Sequence, residues 1–213
     1  MACGTGKTLT ALWIAERMQA QRTLILVPTL SLMAQFVREW LKHSSEPFVY
    51  LPVCSDETVT RGNDAPIMYT SQLEFPVTTE PGEIASFLQE DGRQVVFCTY
   101  HSSKQVVAAQ ADGTVPEFDL VLADEAHHCA GKADSDFRLM LDNSKVRAQR
   151  RLFMTATPRI YRGKKKDSMA SMDDESKFGF VFHRLSFGDA INRKLLTDYQ
   201  VVEIGRASCR ERV

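Results

Sequence analysis

The chain has 213 residues, 44% of them hydrophobic and 25% charged, with a net charge of −1. That supports one globular domain with a sizeable core, and it carries no overall basic signal of a nucleic-acid binder, although a locally basic groove stays open. No apolar run reaches the roughly 18 residues of a membrane span, and the five cysteines are scattered without a CxxC pair, which fits a reducing cytoplasm and offers no zinc pattern.

In chain order, a Gly-rich loop, Gly4-Thr5-Gly6-Lys7-Thr8, comes first. Residues 8–21 then place Leu9, Leu12, Trp13, Ala15 and Met18 near a helical period. Arg22–Val27 reads as a buried strand stopped by Pro28-Thr29, and Leu30–His43 as a helix with Leu32, Phe36, Val37, Trp40 and Leu41 on its core face. Phe48–Val53 is a strand, and the polar residues 55–73 form a loop. Thr78-Thr79-Glu80-Pro81 opens a helix, with a threonine as cap and proline in its first turn. Gln94–Cys98 is a strand, Ser103–Ala111 a helix and Phe118–Ala123 a strand. Phe137–Leu141 forms a short helix, and Arg151–Met154 a further strand. Residues 162–177 read as a charged loop, Phe180–Leu185 as a strand, 188–196 as a helix capped by Ser186, and 199–202 as a last strand. Strands alternating with helices predict an α/β domain built on a mostly parallel sheet flanked by helices.

The chemistry concentrates at three points. The apolar run Phe118–Ala123 ends in Asp124-Glu125-Ala126-His127, so two carboxylates stand at the carboxyl end of a buried strand, the end that faces the ligand crevice in open α/β sheets. Asp124 suits Mg2+, and Glu125 suits orienting and deprotonating an attacking water; the plain alternative is a strand-end turn or a helix cap. Upstream, Gly4, Thr5, Gly6, Lys7 and Thr8 fit the end of a phosphate loop, with Met1 where the pattern has its first glycine. Backbone N–H groups of the glycines approach the phosphates, Lys7 meets their β and γ oxygens, and the Thr8 hydroxyl faces Mg2+. Its alternative, a flexible turn before a helix, is weakened because Gly-Lys-Thr runs straight into an amphipathic segment. Downstream, Thr155 and Thr157 follow a strand expected beside the acidic one. Their hydroxyls, with His127, would couple the nucleotide site to another surface; a threonine-rich turn before Pro158 is the plain reading. His128 is given no metal role because its side chain should diverge from that of His127. Lys164, Lys165 and Lys166 read as a solvated charge run, and Trp13 and Trp40 as structural residues.

Taken together, Ala2–Thr8, Val27-Pro28-Thr29-Leu30, Asp124–His127 and Thr155-Ala156-Thr157 resemble motifs I, Ia, II and III, in chain order, of the first RecA-like, P-loop NTPase domain of a superfamily 2 helicase of the DEAD/DEAH kind. The stretches 185–188 and 195–199 resemble the type III restriction subunit-like helicases. The resemblance covers residues 1–202. It implies ATP and Mg2+ as cofactors, a nucleic-acid partner with DNA favoured over RNA, and hydrolysis carried by Lys7 and Glu125. Pro28, Thr29, Gln35, Thr99 and Tyr100 then lie where family members contact a nucleic-acid backbone. An RNA helicase, a protein-moving ATPase and an inactive nucleic-acid-binding module remain as alternatives.

Both ends depart from that pattern. The strand that normally precedes a phosphate loop would lie before Met1, so the first strand of the sheet is expected to be missing. Residues 203–213 match the translation of a sequencing adapter, and at least 205–213 are expected to be a non-native tail. The second RecA-like domain, which in the family supplies arginine fingers, is expected to be missing from this stretch as well. On these expectations the chain is a fragment of a larger protein that hydrolyses ATP negligibly on its own.

Overall fold

The computed structural model describes residues 1–55, 75–132, 136–162 and 169–198. The polar loop expected over 55–73, the lysine run 164–166, the strand expected over 199–202 and the tail fall wholly or almost wholly outside those residues.

Five strands form one parallel sheet in the order β2-β3-β1-β4-β6: β1 (Arg22–Val27), β2 (Val49–Val53), β3 (Gln94–Thr99), β4 (Phe118–Ala123) and β6 (Ala148–Phe153). Register is regular, with Arg22 to Val27 of β1 facing Gln94 to Thr99 of β3, and Thr23 to Leu26 facing Leu120 to Ala123 of β4. Both faces of the central strands are apolar because both are covered, as parallel sheets require. Leu24, Leu26, Val96, Cys98, Val121 and Ala123 enter one core layer; Ile25, Val27, Val95, Phe97, Leu120 and Leu122 enter the other.

The second layer belongs to α1 (Lys7–Arg17) and α2 (Leu30–His43); the first is covered by α3 (Pro81–Gln89), α4 (Ser103–Ala109) and a 3-10 turn at Asp136–Leu141. Thr29 caps α2 by accepting from the Leu32 N–H, which is why the helix starts directly after Pro28. For α3 the N-cap residue is Glu80 without a side-chain cap bond; Thr78 instead accepts from the Glu80 N–H, and Pro81 opens the helix as expected. The amino ends of β1 and β4 are tied together by Asp119, whose carboxylate accepts from the N–H groups of Gln21 and Arg22 at 2.8 Å each.

Four expectations need correction. Trp13 is 57% and Leu41 50% exposed: the sheet covers only a strip of each helix, and both lie on its flank. The charged stretch after residue 162 is not all loop, since β7 (Met169–Ala170) pairs antiparallel with β5 (Gly131–Lys132) and Glu175–Phe178 forms a helical turn, α5. Residues 180–185 form no strand; Phe180, Val181 and Phe182 stay exposed, and the backbone contact made there is from the Ala2 N–H to the Leu185 carbonyl at 2.9 Å. The helix after Ser186 is short, α6 (Phe187–Asn192), but its capping box with Asp189 is complete.

Trp40 joins the layers. It is fully buried, stands edge-on to Phe97 at 5.9 Å and donates from its indole nitrogen to the Thr8 carbonyl at 3.2 Å. Trp40→Ala is therefore expected to cost about 3–5 kcal/mol, read as a lower urea midpoint at unchanged slope. A loss below about 1 kcal/mol would contradict this packing.

Candidate active site

The carboxyl ends of β1, β3, β4 and β6 lie along one edge of the sheet; the loop after β4 meets the start of α1 through Lys7 and Glu125, and the loop after β6 meets the amino end, where the Met1 ammonium donates to the Thr155 carbonyl at 3.2 Å. Gly4 and Gly6 adopt left-handed backbone angles, φ 75° and 81°, a turn that a side chain would strain. A Cβ at Gly4 would also press to 3.3 Å from Leu196. Gly6 is the N-cap of α1 and makes no side-chain cap bond, so the first-turn N–H donors face the loop without a side-chain acceptor from the cap. Thr5 braces the loop by donating to the Ala2 carbonyl at 2.7 Å. Thr8 lies in the first turn of α1, half-buried, where Trp40 holds its carbonyl.

Lys7 reaches across to the acidic turn, with Nζ 3.3 Å from Glu125 Oε1. Glu125 itself sits in the left-handed region at φ 46°, uncommon for a residue with a side chain. That backbone reversal sends the Glu125 side chain toward Lys7 while Asp124 stays inside. Asp124 is 4% exposed, and its Oδ1 is buried with no hydrogen-bond partner. Burial first, and the Glu125 charge second, push its carboxyl up to about 6, with Lys7 opposing.

His127 is the junction between the acidic turn and the loop after β6. Its Nδ1 lies 3.1 Å from Thr155 Oγ1, 3.3 Å from Glu125 Oε2 and 3.4 Å from Thr157 Oγ1. Burial lowers its pKa, so the ring is neutral at pH 7. β4 and β6 are adjacent, as expected, and this brings His127, Thr155 and Thr157 together. The rings of His127 and His128 do not diverge: their centroids are 4.4 Å apart, because residues 126–129 form a 3-10 turn, where successive side chains do not alternate as on a strand.

The positions expected to meet nucleic acid split into two groups. Pro28 and Thr29 are half-buried at the start of α2, and Gln35 is exposed on it. Thr99 and Tyr100 are fully buried. Thr99 donates to Ser102 Oγ at 3.1 Å, and the Tyr100 hydroxyl donates to the Asp124 carbonyl at 2.7 Å. On the same turn the exposed side chains are His101 and Lys104. Residue spacing does not reveal the Tyr100 contact; only a tyrosine directly after a buried strand hints at it.

Nucleotide and Mg2+ fit this arrangement. The uncapped helix start and the two left-handed glycines suit phosphate oxygens. The buried, unpartnered Asp124 oxygen suits a hard cation, as does the hydroxyl of a threonine in the first turn of α1.

A family model described as "Type III restriction enzyme, res subunit" matches residues 1–160. Probable helicases of African swine fever virus, from a Malawi tick isolate and a Kenya pig isolate, are each 31% identical over 203 residues, covering 94% of this chain and 21% of the viral protein. The chain thus spans about a fifth of the length of these curated relatives. Among solved structures, a nuclease-deletion mutant of the Type ISP restriction–modification enzyme LlaGI, in complex with a DNA substrate mimic, is 35% identical with a TM-score of 0.74, over 94% of this chain and 16% of that one. The ATP-dependent Type ISP enzyme LlaBIII, bound to DNA, is 35% identical with a TM-score of 0.76, over 94% and 14%. Among the described residues no helix is long and apolar enough to cross a membrane.

The Asp124 environment sets a pH dependence of stability. Its folded pKa is raised, so the ionised carboxylate costs stability above about pH 6, and the cost disappears as pH falls toward the unfolded value of 3.8. Asp124→Asn without metal is expected to stabilise the chain at pH 8 by about 2 kcal/mol, or roughly 4–8 °C in Tm. The gain should shrink below pH 6. A gain independent of pH, or a loss at pH 8, would contradict the assignment.

Proposed function

The chain belongs to the type III restriction enzyme res subunit family, and from that premise we propose that it is the ATP-binding half of a nucleic-acid-dependent motor, a helicase or translocase, acting on DNA. The observation that carries this reading is the meeting of Lys7, Asp124 and Glu125 where α1 starts at the end of β4: Lys7 and Glu125 are 3.3 Å apart, and Asp124 adjoins them on the buried side.

In this reading Gly4, Thr5 and Gly6 present backbone N–H groups to the phosphates, and Lys7 neutralises the β and γ oxygens. Thr8 and Asp124 would hold Mg2+, which when bound supplies charge stabilisation on the phosphate oxygens. Glu125 orients the attacking water and accepts its proton as the γ-phosphoryl group departs. His127 Nδ1 stands 3.3 Å from the second oxygen of Glu125 and within hydrogen-bonding reach of Thr155 and Thr157, which links the base to the loop after β6. DNA is favoured because LlaGI and LlaBIII, at 35% identity, are seen with DNA or its mimic. On this chain Pro28, Thr29 and Gln35 offer the surface at the start of α2. Thr99 and Tyr100 shape the neighbouring turn from beneath, which exposes His101 and Lys104. Such contacts to a backbone carry no sequence information, as a motor stepping along any sequence requires.

The test is binding of a fluorescent, non-hydrolysable ATP analogue to the chain with Mg2+, followed by anisotropy of labelled DNA or RNA. Lys7→Ala should weaken nucleotide binding by at least about tenfold, the scale of a charge-assisted contact, and Glu125→Gln should preserve it. DNA should bind in a salt-dependent manner. A folded chain that binds no nucleotide would overturn the proposal, and binding of RNA alone would overturn the choice of polymer.

A further inference from the structure

Tyr100 does something that neither the family match nor its place in the sequence assigns. β3 and β4 are not neighbours in the sheet; β1 lies between them. Tyr100, the first residue after β3, reaches past the end of β1 and donates its hydroxyl to the Asp124 carbonyl at 2.7 Å. The Cys129 thiol also lies within hydrogen-bonding reach of this hydroxyl. The residue is fully buried, its ring lies 5.1 Å from Phe137 and 6.3 Å from His128, and burial raises the phenol pKa well above its ordinary value, so it remains a donor.

The main chain of the acidic turn is anchored from several sides. The Asp124 N–H donates to the Leu26 carbonyl of β1 at 2.9 Å, and the Ala126 N–H to the Met154 carbonyl beyond β6 at 2.9 Å. Between these two anchors the chain reverses at Glu125, φ 46°, which takes the Asp124 carbonyl out of the sheet ladder. A buried carbonyl without a strand partner must find another donor or destabilise the turn, and Tyr100 is that donor. The backbone position matters unusually here because Asp124 Oδ1 has no hydrogen-bond partner of its own. Where that oxygen points follows from where the main chain is held.

We propose that Tyr100 is a positioning residue for the metal-side carboxylate, holding Asp124 from the turn after β3, a role that rests on the nucleotide-binding reading above. Tyr100→Phe keeps the ring against Phe137 and His128 and removes the hydroxyl, with its bond to the Asp124 carbonyl and its contact with the Cys129 thiol. The experiment uses the whole chain and titrates Mg2+ into a fixed concentration of fluorescent ATP analogue, with binding in EDTA as the reference. Tyr100→Phe should leave affinity in EDTA within about twofold of wild type and raise the Mg2+ midpoint about three- to tenfold, the fold-change that corresponds to one hydrogen bond supporting a ligand. Tyr50→Phe, half-buried on the edge strand β2, should shift neither quantity. In an Asp124→Asn background Tyr100→Phe should add no further shift, since the two act as one unit.

An unchanged Mg2+ midpoint in Tyr100→Phe overturns the proposal, and so does an equal loss of affinity with and without Mg2+, which marks a general structural role. If wild type itself binds no nucleotide, the nucleotide reading fails and this proposal with it, an outcome that needs no variant; nucleotide bound by wild type with no Mg2+ dependence overturns this proposal alone. Should Tyr100→Phe not fold, the hydroxyl proton of Tyr100 in the wild-type chain, assigned by NMR through its contacts to Phe137, supplies the test. It should shift on adding nucleotide with Mg2+ and stay in place with nucleotide in EDTA. A resonance unmoved in both overturns the proposal.

Discussion

Asp124 stands where β4 leaves the sheet, 4% exposed, with one carboxylate oxygen buried and unpartnered. A charge in that position is unfavourable in itself, since burial penalises the ionised form. The surroundings fix its main chain with hydrogen bonds and leave the buried Oδ1 without a partner. The Leu26 carbonyl takes the Asp124 N–H, the Tyr100 hydroxyl satisfies its carbonyl, and the Lys7 ammonium nearby opposes the upward pKa shift. Such a group is costly for the isolated fold and useful to a ligand that brings positive charge. This is the pattern expected where stability has been exchanged for chemistry.

That carboxylate depends in turn on the sheet being parallel. Parallel strands end on the same edge, so loops distant in sequence meet there without further design. Lys7 and Glu125 are 118 residues apart and in contact; His127 meets Thr155 across 28 residues, and Tyr100 meets Asp124 across 24. The pairing of β4 with β1 on one side and β6 on the other fixes which loops can touch. β3 lies one strand further away, and only a side chain as long as tyrosine bridges that gap.

Much of this was legible in the residues. β1, α2 and β4 fall on the expected spans because each is a clean apolar or periodic run bounded by strong punctuation, Pro28-Thr29 in one case and Asp124-Glu125 in another. Residues 180–185 misled because Phe-Val-Phe has strand composition, while a strand exists only where another strand pairs with it. Trp13 and Leu41 misled because helical period gives a face but not the width of the strip a sheet will cover. Tyr100 and Thr99 show the same limit at the site. Position after β3 places them at the functional edge, but whether a side chain turns outward to a polymer or inward to the carboxylate depends on packing against Phe137, 37 residues later in the chain.

The Lys7–Glu125 contact can be weighed against what would replace it. A partly exposed Lys–Glu pair at 3.3 Å, with side chains 10% and 21% exposed, contributes on the order of 1 kcal/mol. Charge-assisted hydrogen bonds from the same ammonium to phosphate oxygens contribute about 1.5–3 kcal/mol each. In the proposed motor, exchange of the glutamate for phosphate at Lys7 would therefore be favourable. Glu125 has contacts besides Lys7. Its second oxygen remains 3.3 Å from His127 Nδ1, and its left-handed backbone is pinned by the Ala126 N–H on the Met154 carbonyl. In the proposed reading these contacts would hold a water-activating carboxylate independently of Lys7, which is what it needs at the moment a phosphate arrives.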